Sequence, residues 1–220
     1  AIGVLLGNGW YNHQSIAVWD FHHALWRNRP TFCMDLHIMY ADGTKDIICT
    51  DRDWRTREGG LLFNSIYTGE HYDAQAELDG WNLPGYDDST WRESSYRSVP
   101  STCLTAQQLH PIRSVETYVA RRMTSLSDSV YVFDFGQNMS GVTSLKVTGE
   151  KGTVIRLKHG ERLYSNGRVN TSNIDVYHRP VDDSDPFQTD IITLKGQGEE
   201  EFMPKFNYKG FRYVEVISSH

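Results

Sequence analysis

The sequence predicts an all-β protein: two consecutive antiparallel β-sandwich, jelly-roll-like domains at 1–115 and 116–220, the first truncated at its N-terminus. Three observations carry this prediction. Short runs alternate apolar and polar residues with period two, as strands with one buried face do. Turn signals rich in Gly, Asn and Asp separate those runs at intervals suited to a sandwich. After Ser129 no helical pattern interrupts the strands.

In chain order, Ile2-Gly3-Val4-Leu5-Leu6 reads as a buried strand. It starts almost at once from Ala1, without a Met, so we expect an N-terminus cut from something longer. Gly7-Asn8-Gly9 breaks the strand before Trp10-Tyr11. From Asn12 to Pro30, Trp19, Phe21 and Trp26 mix with His13, His22 and His23 without a clean period, as in a long loop or a short helix. Adjacent residues such as His22 and His23 diverge in either regular structure, so surface or aromatic-packed histidines are expected rather than metal ligands.

Phe32, Met34, Leu36, Ile38 and Tyr40 alternate with more polar neighbours and predict a half-buried strand. Ala41-Asp42-Gly43-Thr44 turns the chain, and Lys45 to Thr50 returns as the partner. Cys33 and Cys49 fall in these runs and are expected in the core. With Cys103 they allow at most one disulfide and show no C-x-x-C spacing, so no zinc site is indicated. Glu70 to Glu77 fits strand or helix. Between Trp81 and Trp91 a Pro84-Gly85 turn leads to a helical turn capped by Asp88 or Ser89, with Trp91 folded into the core. His110 to Glu116, containing Pro111, is the linker candidate.

The second half predicts strands at 130–135, 142–148 and 153–159, a turn at Asn166-Gly167, and closing strands at 190–194, 202–206 and 210–217. Asp182-Asp183-Ser184-Asp185-Pro186 reads as a solvated acidic loop; it lacks the glycine and the distal Glu of a calcium-binding EF-hand. In Val132 to Gly141, Tyr131, Phe133 and Phe135 share one face until Gly136 ends the alternation, which suggests a bulge. Gln137 and Asn138 follow with amides that need partners if buried. Either they bond locally at a sheet corner, or they face a sugar or another domain.

Composition narrows the function classes. Of 220 residues 39% are hydrophobic and 12% aromatic, enough for a packed core. Net charge is −6 and no basic block stands out, which argues against nucleic acid as a partner. No run reaches the about 18 apolar residues of a membrane helix. The sequence contains no G-x-S-x-G, H-E-x-x-H, phosphate loop or dinucleotide fingerprint. A glycosidase needs only two carboxylates flanking the scissile bond. Glu70, Asp73, Glu77, Asp87, Asp88, Asp134 and Glu161 are the ones to weigh.

Five motifs occur in order: Gly7-Asn8-Gly9-Trp10-Tyr11, Gly69-Glu70-His71-Tyr72-Asp73-Ala74, Gly80-Trp81 with Asp87-Asp88-Ser89-Thr90-Trp91, Asp134-Phe135-Gly136-Gln137-Asn138, and Lys209-Gly210-Phe211-Arg212-Tyr213-Val214. Together they resemble the non-catalytic N-terminal region of bacterial α-L-rhamnosidases of glycoside hydrolase family 78, over nearly the whole chain. One departure is Gln75, where the family pattern carries Arg. The resemblance implies a parent enzyme that releases terminal L-rhamnose from glycosides and polysaccharides with inversion. It also implies that the acid and base lie in a helical barrel following the sandwiches, so no catalytic residue is expected in this chain. The barrel of the same parent chain becomes one expected partner, against which Asp134, Gln137, Asn138 and Arg212 are the interface candidates.

Some family members bind rhamnose through a sandwich with a calcium ion. That implies a lectin-like alternative, a module for L-rhamnose or galactose, in which a rhamnose-containing glycan is the partner. No cofactor is required, and calcium is the one ion considered. Asp73, Trp81, Asn82, Asp87 and Asp88 are the carbohydrate-binding candidates, combining oxygen ligands with a ring for stacking. The competing reading makes Trp81 to Trp91 a packed corner. The compartment stays open between periplasm, exterior and cytoplasm of a bacterium.

Overall fold

The structure is a computed structural model that describes residues 1–16, 19–99, 101–178 and 186–219. The acidic stretch Asp182 to Asp185 lies outside these residues. The first half carries β1 (Asp35–Met39), β2 (Lys45–Cys49), β3 (Arg55–Thr56), β4 (Leu61–Asn64), β5 (Glu70–Asp73) and β6 (Arg92–Glu93). The second half carries β7 (Arg122–Ser127), β8 (Val130–Gly141), β9 (Leu145–Thr148), β10 (Val154–Gly160), β11 (Arg162–Leu163), β12 (Val169–Asn170), β13 (Thr189–Thr193), β14 (Glu199–Phe202) and β15 (Lys209–Ser218). Among the described residues helix is confined to single 3-10 turns at Phe21–His23, Ala74–Ala76 and Asp175–Tyr177. None is long and apolar enough to cross a membrane.

The chain is all-β, and its core is a β-sandwich. One layer is a seven-stranded sheet in the order β4-β5-β13-β10-β15-β8-β7. The other includes the pair β14-β9. Period-two alternation explains how they meet. On β10, Ile155 and Leu157 point to one face and are buried, while Arg156 and Lys158 alternate to the other. Ile192 and Leu194, Phe211 and Val214 join them from across the sheet, and Phe202 comes from the facing pair. Each such side chain contributes roughly 1.5–3 kcal/mol on burial. On the opposite face Val169 packs against Gly160, where a Cβ would sit 2.6 Å from its methyl.

The sheet crosses the boundary between the two expected domains. β5, from the first half, pairs in parallel with β13, matching His71 with Ile191 and Tyr72 with Ile192. β4 follows it antiparallel at the edge. The remaining strands of the first half form separate two-stranded pairs, β1-β2 and β3-β6.

Several expectations are corrected. Ile2 to Leu6 is exposed and forms no strand; it runs over the surface with Gly3 against the Trp81 ring and Gly7 against the Phe206 ring. An apolar run cannot by itself recruit a pairing strand. The β1-β2 hairpin forms at Asp42-Gly43 as predicted, with Gly43 at φ +86°. Cys33 and Cys49 are nevertheless exposed, because no second layer covers the hairpin. Trp91 stays half-buried, edge-on to Tyr86 at 5.6 Å. The side chain that caps its turn is that of Asp87, whose Oδ1 accepts the Ser89 N–H at 3.0 Å, rather than that of Asp88 or Ser89. His22 and His23 do not diverge: in the 3-10 turn their ring centroids lie 4.1 Å apart. Finally, β8 does not stop at Phe135. The bulge expected at Gly136, which has φ +81°, is present: residues 135–138 of β8 stand opposite Arg212 alone, and pairing resumes at Met139 and runs to Gly141.

Candidate functional site

The candidate carbohydrate residues occupy the segment after β5. Asp73 ends that strand and caps the next turn, its Oδ1 accepting the Gln75 N–H at 2.9 Å. Its own N–H donates to the Gly60 carbonyl at 2.8 Å. Trp81 is half-buried, with one edge of its ring covered by Gly3. Asn82, Asp87 and Asp88 are exposed. The Asp88 carbonyl accepts the Trp91 N–H at 2.8 Å. Asp73 and Asp87 thus use a carboxylate oxygen locally, each within its own turn. Among the described residues no group of three or more His, Cys, Asp and Glu side chains converges as a metal site.

Of the interface candidates, Asp134 and Arg212 find each other. Arg212 Nε and Nη2 donate to the two Asp134 oxygens at 2.8 and 2.9 Å, a bidentate fork between neighbouring strands. The Gly136 N–H donates to the same carboxylate at 2.7 Å. Arg212 and this backbone donor hold the Asp134 carboxyl below its usual value. The guanidinium also stacks 4.8 Å over Tyr213. Gln137 and Asn138, beyond the kink, are exposed.

Sequence reasoning missed two clusters. The first is aromatic. Trp10 stacks on His13 at 5.8 Å and meets Tyr67 edge-on at 5.5 Å. Trp19 stacks on Phe21 and Tyr67 at 6.3 and 6.2 Å, and Trp26 flanks Phe21 at 6.1 Å. All three tryptophans remain about half exposed, at 48%, 54% and 60%. Beneath them Ser15 donates to Ser65 Oγ at 2.6 Å. The density of rings between Trp10 and Trp26 was the readable signal; Tyr67, which joins them, was not.

The second cluster is ionic and buried at one end of the sandwich core. Glu70 from β5, Asp190 from β13, Asn207 just before β15 and Lys209 at its start are all nearly inaccessible. Lys209 Nζ donates to Asp190 Oδ1 at 2.7 Å and to Asn207 Oδ1. The Glu70 N–H donates to Asp190 Oδ1 at 2.9 Å. Glu70 Oε1 accepts the Lys205 N–H at 2.6 Å and the Phe206 N–H. Gly69 makes the approach feasible: a Cβ there would fall 2.3 Å from the Thr189 carbonyl oxygen and 2.6 Å from Asp190 Oδ1. Burial raises the Glu70 pKa against the pull of those amides. Burial likewise lowers the Lys209 pKa, opposed by Asp190. His159, fully buried nearby, is pushed down to about 4 by desolvation, with Lys209 adding to the effect. Its Nδ1–H donates to the Gln188 carbonyl at 3.1 Å, and Thr143 Oγ1 lies 2.7 Å from Nε2.

A shallow cavity of about 140 Å³ opens beside Tyr72, Glu77, Leu194 and Lys195. Lys195 donates to Glu77 at 2.6 Å, and so does the Tyr72 hydroxyl at 2.7 Å. Burial works against the Glu77 carboxylate, yet these two donors hold its pKa below the usual value.

Comparison with known proteins agrees with the motifs. The model of the α-L-rhamnosidase N-terminal domain matches residues 1–116, and that of the bacterial α-L-rhamnosidase concanavalin-like domain matches 124–220. An α-L-rhamnosidase of Streptomyces avermitilis is 37% identical over 98% of this chain, and one from an Alteromonas species is 33% identical over 98%. The chain spans about a fifth of the length of these relatives, 20% and 22%. The crystal structure of the Streptomyces avermitilis enzyme complexed with L-rhamnose superposes with a TM-score of 0.84, covering 96% of this chain and 19% of that one. A native α-L-rhamnosidase from Aspergillus terreus superposes at 0.82 with 31% identity, covering 96% and 23%.

Proposed function

We infer the function from one premise: this chain belongs to the bacterial α-L-rhamnosidase family, whose N-terminal domain matches more than half of it. It serves as a non-catalytic β-sandwich part of an enzyme that hydrolyses terminal α-L-rhamnose from glycosides and polysaccharides. Its role is to brace a helical catalytic barrel of the same parent polypeptide. The observation that carries this reading is how the carboxylates are engaged. Glu70 is held by backbone amides, Asp73 and Asp87 cap turns, and Glu77 pairs with Lys195. Asp134 is forked by Arg212, and Glu161 faces Asn173 at 3.4 Å. A glycosidase would need two carboxyl groups facing one another across a sugar-sized gap. The bracing role fits the exposed apolar side chains of Leu104, Leu109, Ile112, Val115 and Val119 and the exposed Gln137 and Asn138.

The test is turnover of an aryl α-L-rhamnoside by the pure chain. No turnover is expected. Activity that disappears when one of these carboxylates is replaced would overturn the reading. A second reading, a lectin-like module, is favoured by the half-exposed Trp10, Trp19 and Trp26, since indole faces stack on the C–H faces of sugars. Calorimetry with L-rhamnose and with galactose, in calcium and then in chelator, tests it. Absence of heat at millimolar sugar removes this second reading for that sugar.

A further inference from the structure

The buried cluster at the end of the core goes beyond bracing. A lysine, an aspartate and a glutamate stand together with almost no solvent between them, on three strands that are distant in sequence. An ion pair in such a place loses most of its hydration, which its mutual attraction offsets only in part. One atom stands out. Asp190 Oδ2 is buried and finds no hydrogen-bond partner among the described residues, while Oδ1 takes both Lys209 Nζ and the Glu70 N–H.

We propose that Lys209 and Asp190 condense in the folded protein to form an intramolecular isopeptide bond between β15 and β13. The reaction needs no oxidant and no co-reactant. One proton passes from the Lys209 ammonium to Asp190 Oδ2, leaving a neutral amine and a carboxylic acid. The amine nitrogen attacks Asp190 Cγ, and a C–N bond forms. Negative charge develops on Oδ1, where the Glu70 backbone N–H already donates at 2.9 Å, as an oxyanion donor should. A second proton moves from nitrogen to Oδ2. The C–Oδ2 bond breaks, one water leaves, and the nitrogen keeps one hydrogen as the amide N–H.

The surroundings favour each step. Lys209 Nζ lies 2.7 Å from Oδ1, so the nitrogen is held one bond away from the carbon it must attack. Desolvation favours the neutral amine over the ammonium, and the pKa of Lys209 is lowered accordingly. Asn207 steadies the pair: its Oδ1 accepts from Lys209 Nζ, and its Nδ2 sits 3.4 Å from Asp190 Oδ1 and 3.4 Å from Glu70 Oε1. Glu70, binding the Lys205 and Phe206 amides, closes the segment over the site. Condensation replaces two buried charges with one neutral amide. The oxygen that leaves is the one that no group among the described residues holds.

Mass spectrometry tests this directly on the folded, purified chain, subsequently denatured. The intact mass should fall one water below the mass calculated from the sequence. Proteolysis should then yield a branched peptide joining the segment around Asp190 to the segment around Lys209, with trypsin failing to cut after Lys209. The variant Lys209→Arg keeps the positive charge but should show its full sequence mass. An unshifted mass in the folded wild type overturns the proposal. So does a loss of water that persists in Lys209→Arg or maps to a single linear peptide.

Discussion

The β1-β2 hairpin and the β10 strand share the same local grammar and meet opposite fates. Both alternate apolar and polar residues, and both are paired antiparallel along their length. On β10 the apolar face is sealed, with Leu157 wholly inaccessible. On the hairpin Ile47 and Met39 remain 58% and 75% exposed, and no residue from 19 to 59 is buried. Alternation therefore specifies a face but not a cover. What separates the two is a second layer: β9 and β14 lie over the large sheet, and no strand of the described chain lies over the hairpin. Strand pairing supplies hydrogen bonds, whereas the hydrophobic contribution arises only when another element removes the face from water.

This contrast can be broken or sharpened by experiment. The largest effect is expected from Leu157→Ala, which should cost about 2–5 kcal/mol in chemical denaturation by leaving a core cavity. Next comes pH. His159 is neutral when buried, its pKa pushed from 6.5 to about 4. Below the unfolded value the unfolded chain binds a proton that the folded chain refuses. Stability present above pH 6.5 should therefore fall as pH drops towards 4, by on the order of 3 kcal/mol. Urea midpoints across that window measure it, and His159→Gln should flatten the profile; an equally steep profile in the variant would assign the loss elsewhere. Gly69→Ala should cost about 1–3 kcal/mol, since its methyl collides with the Thr189 backbone. Arg212→Ala removes a half-exposed fork and should cost about 0.2–1 kcal/mol, less in high salt. The smallest change belongs to the hairpin: Ile47→Ala should stay within about 0.5 kcal/mol. A loss there as large as that for Leu157 would mean that the hairpin is covered in solution.

What could be read from the residues was whatever depends on near neighbours. Asp42-Gly43 announced the hairpin, Asn166-Gly167 the turn before β12, and Tyr131, Phe133 and Phe135 the start of β8. The bulge at Gly136 was legible in β8 itself, whereas the resumption of pairing beyond it, at Met139 opposite Phe211, depended on β15, a strand far along the chain. The exposure of Cys33 and Cys49 depended on a missing layer. The ionic cluster was half visible: Lys209 lies in phase with Phe211, and a lysine on a buried face implies a buried partner. Which partner it would be required knowing that β5 and β13 lie side by side. Asp73, Trp81, Asn82, Asp87 and Asp88 fall within sixteen residues of one another in the sequence. In space, the bonds of Asp73 and Asp87 belong to separate turns.

The parallel pairing of β5 with β13 also imposes a schedule on biosynthesis. The two partners are about 120 residues apart in the chain, as the Glu70 and Asp190 positions show. A ribosome adding about 5–20 residues per second needs on the order of ten seconds to make that span. Throughout that interval Glu70 to Asp73 is out of the tunnel with one edge open and its buried glutamate still in water. The C-terminal strands can assemble among themselves and then capture the waiting edge, so the first segment synthesised is among the last to be locked in place. A nascent chain stalled before residue 189 should accordingly leave β4 and β5 open to protease, and one released after β15 is complete at Ser218 should protect them.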